Sequence, residues 1–529
     1  MFDIVIRGAR IYDGTGNPWY WGDVGIANGQ IKKVGQIPSK GNITLDRKGF
    51  IVCPGFIDIH SHSDLHLLPN PSAINKVMQG VTTEVTGNCG MSLAPVNNST
   101  IDALKTYLRS WGTPISNSWT TLGIFLAELE DKGMITNIAP LVGHGTIRIA
   151  VMGFQDREPT TGEMDTMKAY LRKEMEDGIF GMSTGLIYPP GSFSKTDELI
   201  ELTKVLREYD GLYATHVRNE TDNVVDSYRE AINIGEINRI KVQMSHHKVC
   251  GRANWGAVQT TLQLIEEARE KGIDVTSDQY PYKASSTGLR AFLPPWVHAG
   301  GNDLMLKRLS DKSERRIIKE YMEERTGWEN GIKAVGSENI VIAKVKTDKN
   351  RELEGKSLAE VAEGKGLGTY EATFELLLEE EGDVSIFSFG VCENDLQMVM
   401  RHPTTMFGSD GSALSENERG KPHPRNYGTY ARILGKYTRE ENVLNLSEAI
   451  RKMTSFPAQK IGLKTRGVLR EGNVADITIF DPITIADTST YQNPSQFPKG
   501  IRDVIINGDI VIKNAKYTGK APGRVLTRN

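Results

Sequence analysis

The sequence predicts a (β/α)₈ TIM-like barrel with a small β-sandwich domain built from both termini and an inserted subdomain. Eight short apolar runs alternate with helical stretches over roughly 350 residues, which favours a barrel over an open doubly wound sheet. The two ends of the chain instead show short alternating strands separated by tight turns. Several of the central runs close on histidine, cysteine or aspartate, where a barrel would assemble a site.

The composition is that of an ordinary globular protein. The 529 residues carry a formal net charge of −3, and 39% of them are hydrophobic. This balance provides no field for nucleic acid or an anionic membrane, and no apolar run approaches the ~18 residues of a membrane helix. Four cysteines are too few for a disulfide framework, and the start MFDIVIRGARIYDG shows no secretion signal. We expect a cytoplasmic protein without nucleic-acid or membrane partners.

The terminal segments predict one shared β-domain. Residues 2–35 contain FDIVIRGARIYDG and GDVGIANGQIKKVGQI, and residues 467–515 contain GVLREGNVADITIFDP and VIINGDIVIKN. Both read as strands broken by Gly and Asn-Gly turns. We therefore assign residues 1–53 and 460–529 to the β-sandwich domain.

The barrel is assigned to residues 54–286 and 348–459. Its strand-like runs are FIDIHSH, VTTEVTG, IAPLVGHG, IFGMSTG, LYATHVRN, KVQMSHHK, DVTSDQYPY and TTMFGSDG. Helical stretches lie between them. One of these places Leu262, Ile265 and Ala268 at helical spacing and ends at Lys271-Gly272.

A long interval between Tyr282 and Thr404 exceeds a normal βα connection. We assign 287–347 to an inserted subdomain near the barrel mouth and 355–382 to a return to barrel helix. An insert at that face forms either a lid that selects substrate or a plain surface elaboration. The sequence leaves both open.

Five residues at strand ends form a candidate metal-ligand set: His60, His62, Cys89, His216 and His246. The two residues of His-x-His point to one side of a strand, and a thiolate can ligate zinc or bridge two metals. A structural pair of turn histidines, or a buried apolar cysteine, is the alternative for each part taken alone. The ordered set favours the metal. His247 alternates to the other face, so we expect it not to ligate.

Asp410, in FGSDG, ends the last strand run and is the candidate catalytic acid/base. An Asx-turn aspartate is the alternative. His144 could contact substrate or make a structural hydrogen bond. Arg218 and Arg290 could meet an acidic side chain of the substrate, although structural ion pairs are the preferred interpretation.

The motifs TGNCG, STGLIYPPG, THVRNE, SHHK, DQYPY and GSDG followed by KPHPRNYGT resemble the D-aminoacylase family of the amidohydrolase superfamily. The resemblance covers essentially the whole chain, and the fourth strand has no lysine that could be carbamylated. It implies one tight Zn²⁺ site at Cys89, His216 and His246. It also implies a second, weaker site at His60 and His62, with Asp410 as general acid/base.

The resemblance further implies the zinc-dependent hydrolysis of N-acyl-D-amino acids. Lys248, Tyr280 and Arg425 would hold the α-carboxylate, and Tyr188 and Ser286 would line the pocket near the acyl and carboxylate groups. The alternatives are a cyclic amidase (hydantoinase-like), a D-peptide hydrolase, and an inactive barrel used as a scaffold. The intact ligand set argues against the last. The insert and terminal strands could support a homo-oligomer, which the sequence does not decide.

Overall fold

The computed structural model describes residues 1–68, 71–97, 99–109, 119–415 and 418–528. Its centre is a barrel of parallel strands, joined in chain order by hydrogen bonds. A parallel bridge between Ser61 and Gly411 connects the last strand to the first. The predicted barrel is confirmed. Its strands are Phe56–Asp58, Val81–Thr86, Asn137–Pro140 with Val142–Gly143, Gly181–Gly185, Leu212–His216, Lys241–Met244, Val275–Gln279 and Thr405–Phe407.

Helices surround the barrel and bury apolar residues against it. Val258–Glu270 buries Leu262, Ile265 and Ala268, as the helical spacing predicts. Within the part of the chain that is described, no helix has the length and apolarity to cross a membrane. The helices around the barrel are Asp64–Leu67, Ile74–Val77, Ile101–Arg109, Leu122–Lys132, His144–Met152, Thr161–Glu176, Thr196–Glu208, Val224–Asn238, Val258–Glu270, Glu393–Arg401, Arg425–Arg432 continued by the π-helical Ile433–Glu440, Leu446–Met453 and Ser455–Ile461.

The two ends of the chain meet in one β-domain. Ile51–Pro54 pairs antiparallel with Ile477–Phe480, which joins the amino-terminal strands to the carboxyl-terminal ones. Strands from both ends also contribute to a common apolar cluster. The remaining strands of this sheet are Phe2–Ile11, Tyr20–Ala27, Gln30–Gly35, Gly41–Asp46, Ile501–Ile506, Asp509–Lys513 and Lys516–Tyr517.

The inserted subdomain is larger than the sequence predicts. Ser285–Gly288 and Ile340–Val345 both pair antiparallel with Val384–Ser388, and a separate apolar cluster draws on residues 289–386. The expected boundary at 347 and the return of 355–382 to the barrel are therefore wrong. An amphipathic helix has the same pattern whichever core it covers, so only the distant strand pairing decides. The insert helices are Asn302–Ser310, Lys312–Glu324, Gly331–Val335, Leu358–Lys365 and Thr369–Glu379.

A fully buried ionic network joins the first, second and last barrel strands. The Lys76 ammonium lies 2.6 Å from Asp58 Oδ2, 2.7 Å from Ser409 Oγ and 3.3 Å from Glu84 Oε2. Asp58 also accepts hydrogen bonds from the backbone N–H groups of His60 and Ser409. The network therefore ties the segment that carries His60 to the one that carries Asp410.

We expect Lys76→Met to lower the free energy of unfolding by ~3–5 kcal/mol, because it leaves two carboxylates buried without their cation. Urea unfolding measures this loss. Lys460→Met is the matched control, since Lys460 is also buried but its partner Asp274 is 47% exposed and stays hydrated. A loss from Lys76→Met no larger than that of the control would contradict the prediction.

Candidate metal centre and active site

The structure brings the predicted ligands together in two groups that share Cys89. In the first, Cys89 Sγ lies 3.8 Å from His216 Nδ1 and 3.6 Å from His246 Nε2. In the second, Cys89 Sγ lies 3.4 Å from His60 Nε2, and Asp410 Oδ1 lies 3.1 Å from His62 Nε2.

Both groups lie at the carboxyl ends of the barrel strands, where the backbone turns sharply. Cys89, His246 and Asp410 adopt positive φ angles of 53°, 36° and 50°. Non-glycine residues seldom adopt this conformation, and they cluster at functional sites when the surrounding structure enforces it. The surrounding structure therefore holds three of the candidate residues in a backbone conformation that they would rarely adopt on their own.

The first group fits a zinc ion. Zinc bonds of about 2.0–2.3 Å in a tetrahedral arrangement place their ligands roughly 3.5 Å apart. The sulfur–nitrogen separations of 3.6 and 3.8 Å agree with this spacing. Cys89, His216 and His246 are all buried, and a thiolate with two imidazoles is a donor set that zinc prefers.

The electrostatics favour an ionised Cys89 thiolate and an ionised Asp410 carboxylate, whereas His62 must lose a proton before it can bind a metal. Burial would raise the pKa of the Cys89 thiol, but the charge of His60 and contacts with His216 and His246 hold that pKa well below its usual range. Burial would also raise the pKa of Asp410, yet the Arg425 guanidinium and His60 keep it well below normal. Burial alone would lower the pKa of His62, but contacts with Asp410 and Cys89 raise it to about 9.

Two carboxylates orient the ligand imidazoles, and the sequence interpretation missed both. Glu220 Oε1 lies 3.1 Å from His246 Nδ1, and Glu220 Oε2 lies 3.7 Å from His216 Nε2. Asp278 Oδ1 lies 3.2 Å from His60 Nδ1. Such partners set the orientation and basicity of a ligating histidine. Their positions within THVRNE and DQYPY, beside two strand ends, were the available signal.

The predicted substrate-binding residues line a cavity of about 200 Å³ above the ligands. Two of the predicted cations already have carboxylate partners. Lys248 Nζ lies 2.6 Å from Glu220 Oε1, and Arg425 Nη1 lies 2.6 Å from Asp410 Oδ2. The predicted substrate-binding residues that line the cavity are Tyr188, Lys248, Tyr280, Ser286 and Arg425.

Tyr280 has a buried hydroxyl with no hydrogen-bond partner among the described residues. Its ring lies close to both cations, with Arg425 Cζ 5.0 Å and Lys248 Nζ 5.7 Å from the ring centroid. An unpaired buried donor beside two cations is a suitable site for an anionic group.

Other polar residues have structural roles. The His144 ring contacts Glu198 at 2.8 Å in the protein interior, which agrees with a structural hydrogen bond and not with a substrate contact. His247 faces away from the ligands and contacts Thr261 Oγ1 at 2.7 Å. Arg218 pairs with Glu230 at 2.8 Å.

His66 lines the active-site cavity. Arg290 lies outside it, with its guanidinium 5.9 Å from the ring centroid of Tyr107. Neither an acidic side-chain site at Arg218 nor one at Arg290 is therefore formed in this cavity.

Comparison with known proteins places the chain in a family. The amidohydrolase family profile matches residues 44–512. A D-aminoacylase of Alcaligenes xylosoxydans xylosoxydans is 35% identical over 528 residues, which cover 100% of this chain and 98% of the relative.

Two solved structures resemble the whole chain. The N-acyl-D-glutamate deacylase of Bordetella bronchiseptica, complexed with zinc and a phosphonate mimic of the tetrahedral intermediate, is 32% identical, with a TM-score of 0.83 and 99% coverage of both chains. A D-aminoacylase with a binuclear metal centre, described by one-metal activation and second-metal attenuation, is 34% identical, with a TM-score of 0.84 and 100% coverage of both. The chain thus belongs to the amidohydrolase family and to the D-aminoacylases within it.

Proposed function

We propose that this protein uses zinc to hydrolyse the amide bond of N-acyl-D-amino acids to a carboxylate and a free D-amino acid. The observation that carries the proposal is one cavity that combines the Cys89 ligand group, Asp410, and the unpaired Tyr280 hydroxyl beside Arg425. The Cys89 ligand group with Asp410 suits amide hydrolysis, and the Tyr280 hydroxyl with Arg425 suits the binding of an α-carboxylate. The functions of the relatives support the same substrate class.

Cys89, His216 and His246 would hold the tight metal, and His60 and His62 would form a second, weaker site with Cys89 and Asp410. Bound zinc supplies a Lewis acid for the acyl carbonyl and lowers the pKa of a bound water to ~7. Cys89, His60, His216 and His246 are buried and His62 is only partly exposed, so this chemistry would take place away from bulk solvent.

Asp410 would take the proton of the attacking water and later deliver it to the departing amine nitrogen. Arg425 and His60 keep this carboxylate ionised, so it is able to accept the proton of the attacking water. The pair with Arg425 also fixes Asp410 Oδ2, so that Oδ1 is the oxygen facing the histidines.

The arrangement accounts for a preference between enantiomers. Once Tyr280 and Arg425 bind the α-carboxylate and the amide lies over the ligands, two bonds at Cα are fixed. Exchanging enantiomers then exchanges the hydrogen and the side chain. The enantiomer whose side chain meets a wall loses binding in the transition state.

We expect amine release from N-acetyl-D-amino acids at kcat/KM values at least ~100-fold above their L counterparts, a difference of about 2.7 kcal/mol. The assay pairs D and L forms of N-acetyl Met, Leu, Phe, Glu and Asp with zinc-supplemented protein and measures released amine. Equal rates on both enantiomers would contradict the proposal. Cleavage of hydantoins or D-peptides, with none of the acetyl compounds, would favour the alternative functions.

The four cysteines form no disulfide with one another, and all lie within the described residues. This supports the proposal of a reducing, cytoplasmic location.

A further inference from the structure

A second cavity, of about 260 Å³, adjoins the active-site cavity. Tyr188, Thr287 and Gly288 line both cavities, so they form the boundary between them. The Tyr188 hydroxyl lies 3.2 Å from Thr287 Oγ1 across this boundary. The second cavity is therefore positioned to receive part of a ligand bound over the metal ligands.

The walls of the second cavity are largely hydrocarbon. Ala103 and Tyr107 come from the helix Ile101–Arg109, and Phe154, Pro189 and Ala291 complete the apolar lining. An apolar cavity of about 150 Å³ is enough to bind benzene. The space is thus sufficient for a phenyl ring or a hydrocarbon chain.

The charged groups of this cavity do not select an anion. Arg290 contributes one cation to its lining, but Asp102 and Asp303 line it as well, and both aspartates are exposed. Exposed residues mark a side open to solvent, where a long group could extend. A neutral group of variable length suits such a site better than an acidic one.

The position of the cavity around the barrel mouth indicates which end of a substrate it would meet. Tyr188 follows the strand Gly181–Gly185, and His216, His246 and Tyr280 follow on the next three strands in order. Successive ring centroids lie 5.1, 4.3 and 6.4 Å apart. Tyr188 and Tyr280 therefore lie at opposite ends of a row, with two metal-ligand histidines between them.

A secondary amide is trans, so its acyl carbon and its Cα lead away in opposite directions. With the carbonyl over the histidines and the α-carboxylate at Tyr280, the acyl tail points towards Tyr188. We propose that the second cavity is the acyl-tail subsite, and that the preferred substrates carry neutral hexanoyl, octanoyl or phenylacetyl groups rather than acetyl. This inference rests on the proposed function.

The test is a series of N-acyl-D-amino acids with acetyl, butanoyl, hexanoyl, octanoyl and phenylacetyl groups on one D-amino acid. Burying each methylene should raise kcat/KM by roughly two- to fourfold until the tail reaches solvent. The phenylacetyl compound should exceed the acetyl one by at least about tenfold, in keeping with the burial of an aromatic ring. Released amine is measured for each compound.

Gly288→Leu tests the location of the subsite. Gly288 has φ −79° and ψ 136°, and a Cβ there would meet its nearest atoms, Arg290 Cγ and Val384 O, at 3.8 Å. A side chain is therefore accommodated, but leucine would narrow the junction between the cavities. We expect the ratio of hexanoyl to acetyl kcat/KM to fall at least about tenfold, out of a gain of roughly 16- to 250-fold for the four added methylenes. Gly288→Ala, at the same position, should lower the ratio less.

Ala103→Phe places an aromatic ring in the part of the second cavity that is farther from the metal ligands. It should lower kcat/KM for the octanoyl compound more than for the butanoyl compound. A flat acyl series, with acetyl cleaved, would overturn this inference and leave the proposed function intact. A chain-length preference that Gly288→Leu does not change would overturn the location. Failure to cleave any compound of the series would overturn both the proposed function and the inference.

Discussion

Asp410→Asn is expected to reduce kcat by at least ~10²–10⁴-fold, the usual contribution of a positioned acid/base. Asparagine preserves the shape of the side chain but can neither take the water proton nor deliver it to the amine. Asp410 Oδ1 lies 3.1 Å from His62 Nε2 and Asp410 Oδ2 lies 2.6 Å from Arg425 Nη1, so both carboxylate oxygens are fixed in place. Steady-state kinetics on an N-acetyl-D-amino acid measures the loss.

A matched control separates the loss of the base from the loss of an ion pair. Asp487→Asn removes the carboxylate charge from the Arg432–Asp487 pair, whose atoms lie 2.8 Å apart. Asp487 does not line the active-site cavity, so this change should affect thermal stability more than kcat. The tight zinc of Asp410→Asn should stay bound, because Asp410 is outside the Cys89–His216–His246 group. Full turnover by Asp410→Asn would exclude it as the acid/base.

Cys89→Ala is expected to remove the tight metal and nearly all activity. Cys89 Sγ lies within 3.8 Å of three histidine nitrogens and belongs to both ligand groups. Losing an outer partner of a ligand costs ~10–100-fold in metal affinity, and losing a ligand itself should cost more. Zinc content after dialysis, together with turnover in excess zinc, measures both effects.

Cys53→Ala is the matched control for this change, because Cys53 is also a buried thiol but lies 3.5 Å from the backbone carbonyl of Thr478 and belongs to neither ligand group. It should retain zinc. His62→Ala should retain the tight zinc as well, since His62 belongs only to the second group. A Cys89→Ala protein that keeps stoichiometric zinc would contradict the ligand assignment.

Much of the fold follows from the local pattern of apolar and polar residues in the sequence. The apolar spacing of Leu262, Ile265 and Ala268 predicted a helix that buries those residues. Parallel barrel strands bring their carboxyl ends to one face, so residues at the ends of runs could be expected to meet although 350 positions separate His60 from Asp410. The alternation that excluded His247 from the ligands has the same local origin.

The insert boundary could not be predicted because its decisive strand, Val384–Ser388, pairs with Ser285–Gly288 about a hundred residues earlier. The pairing of charges was equally inaccessible. Lys248 and Arg425 were expected to be available to substrate, yet they contact Glu220 and Asp410. Which carboxylate reaches a cation depends on side-chain directions that no spacing in the chain specifies.

Periodicity and the order of strand ends along the chain were enough to predict the barrel, the β-domain from both termini and the set of candidate ligands. Three features became visible only in the folded chain: Cys89 belongs to both ligand groups, Glu220 and Asp278 orient the histidines, and a second cavity opens beside Tyr188. These features depend on distances between residues far apart in the chain, and such distances exist only after the core has packed.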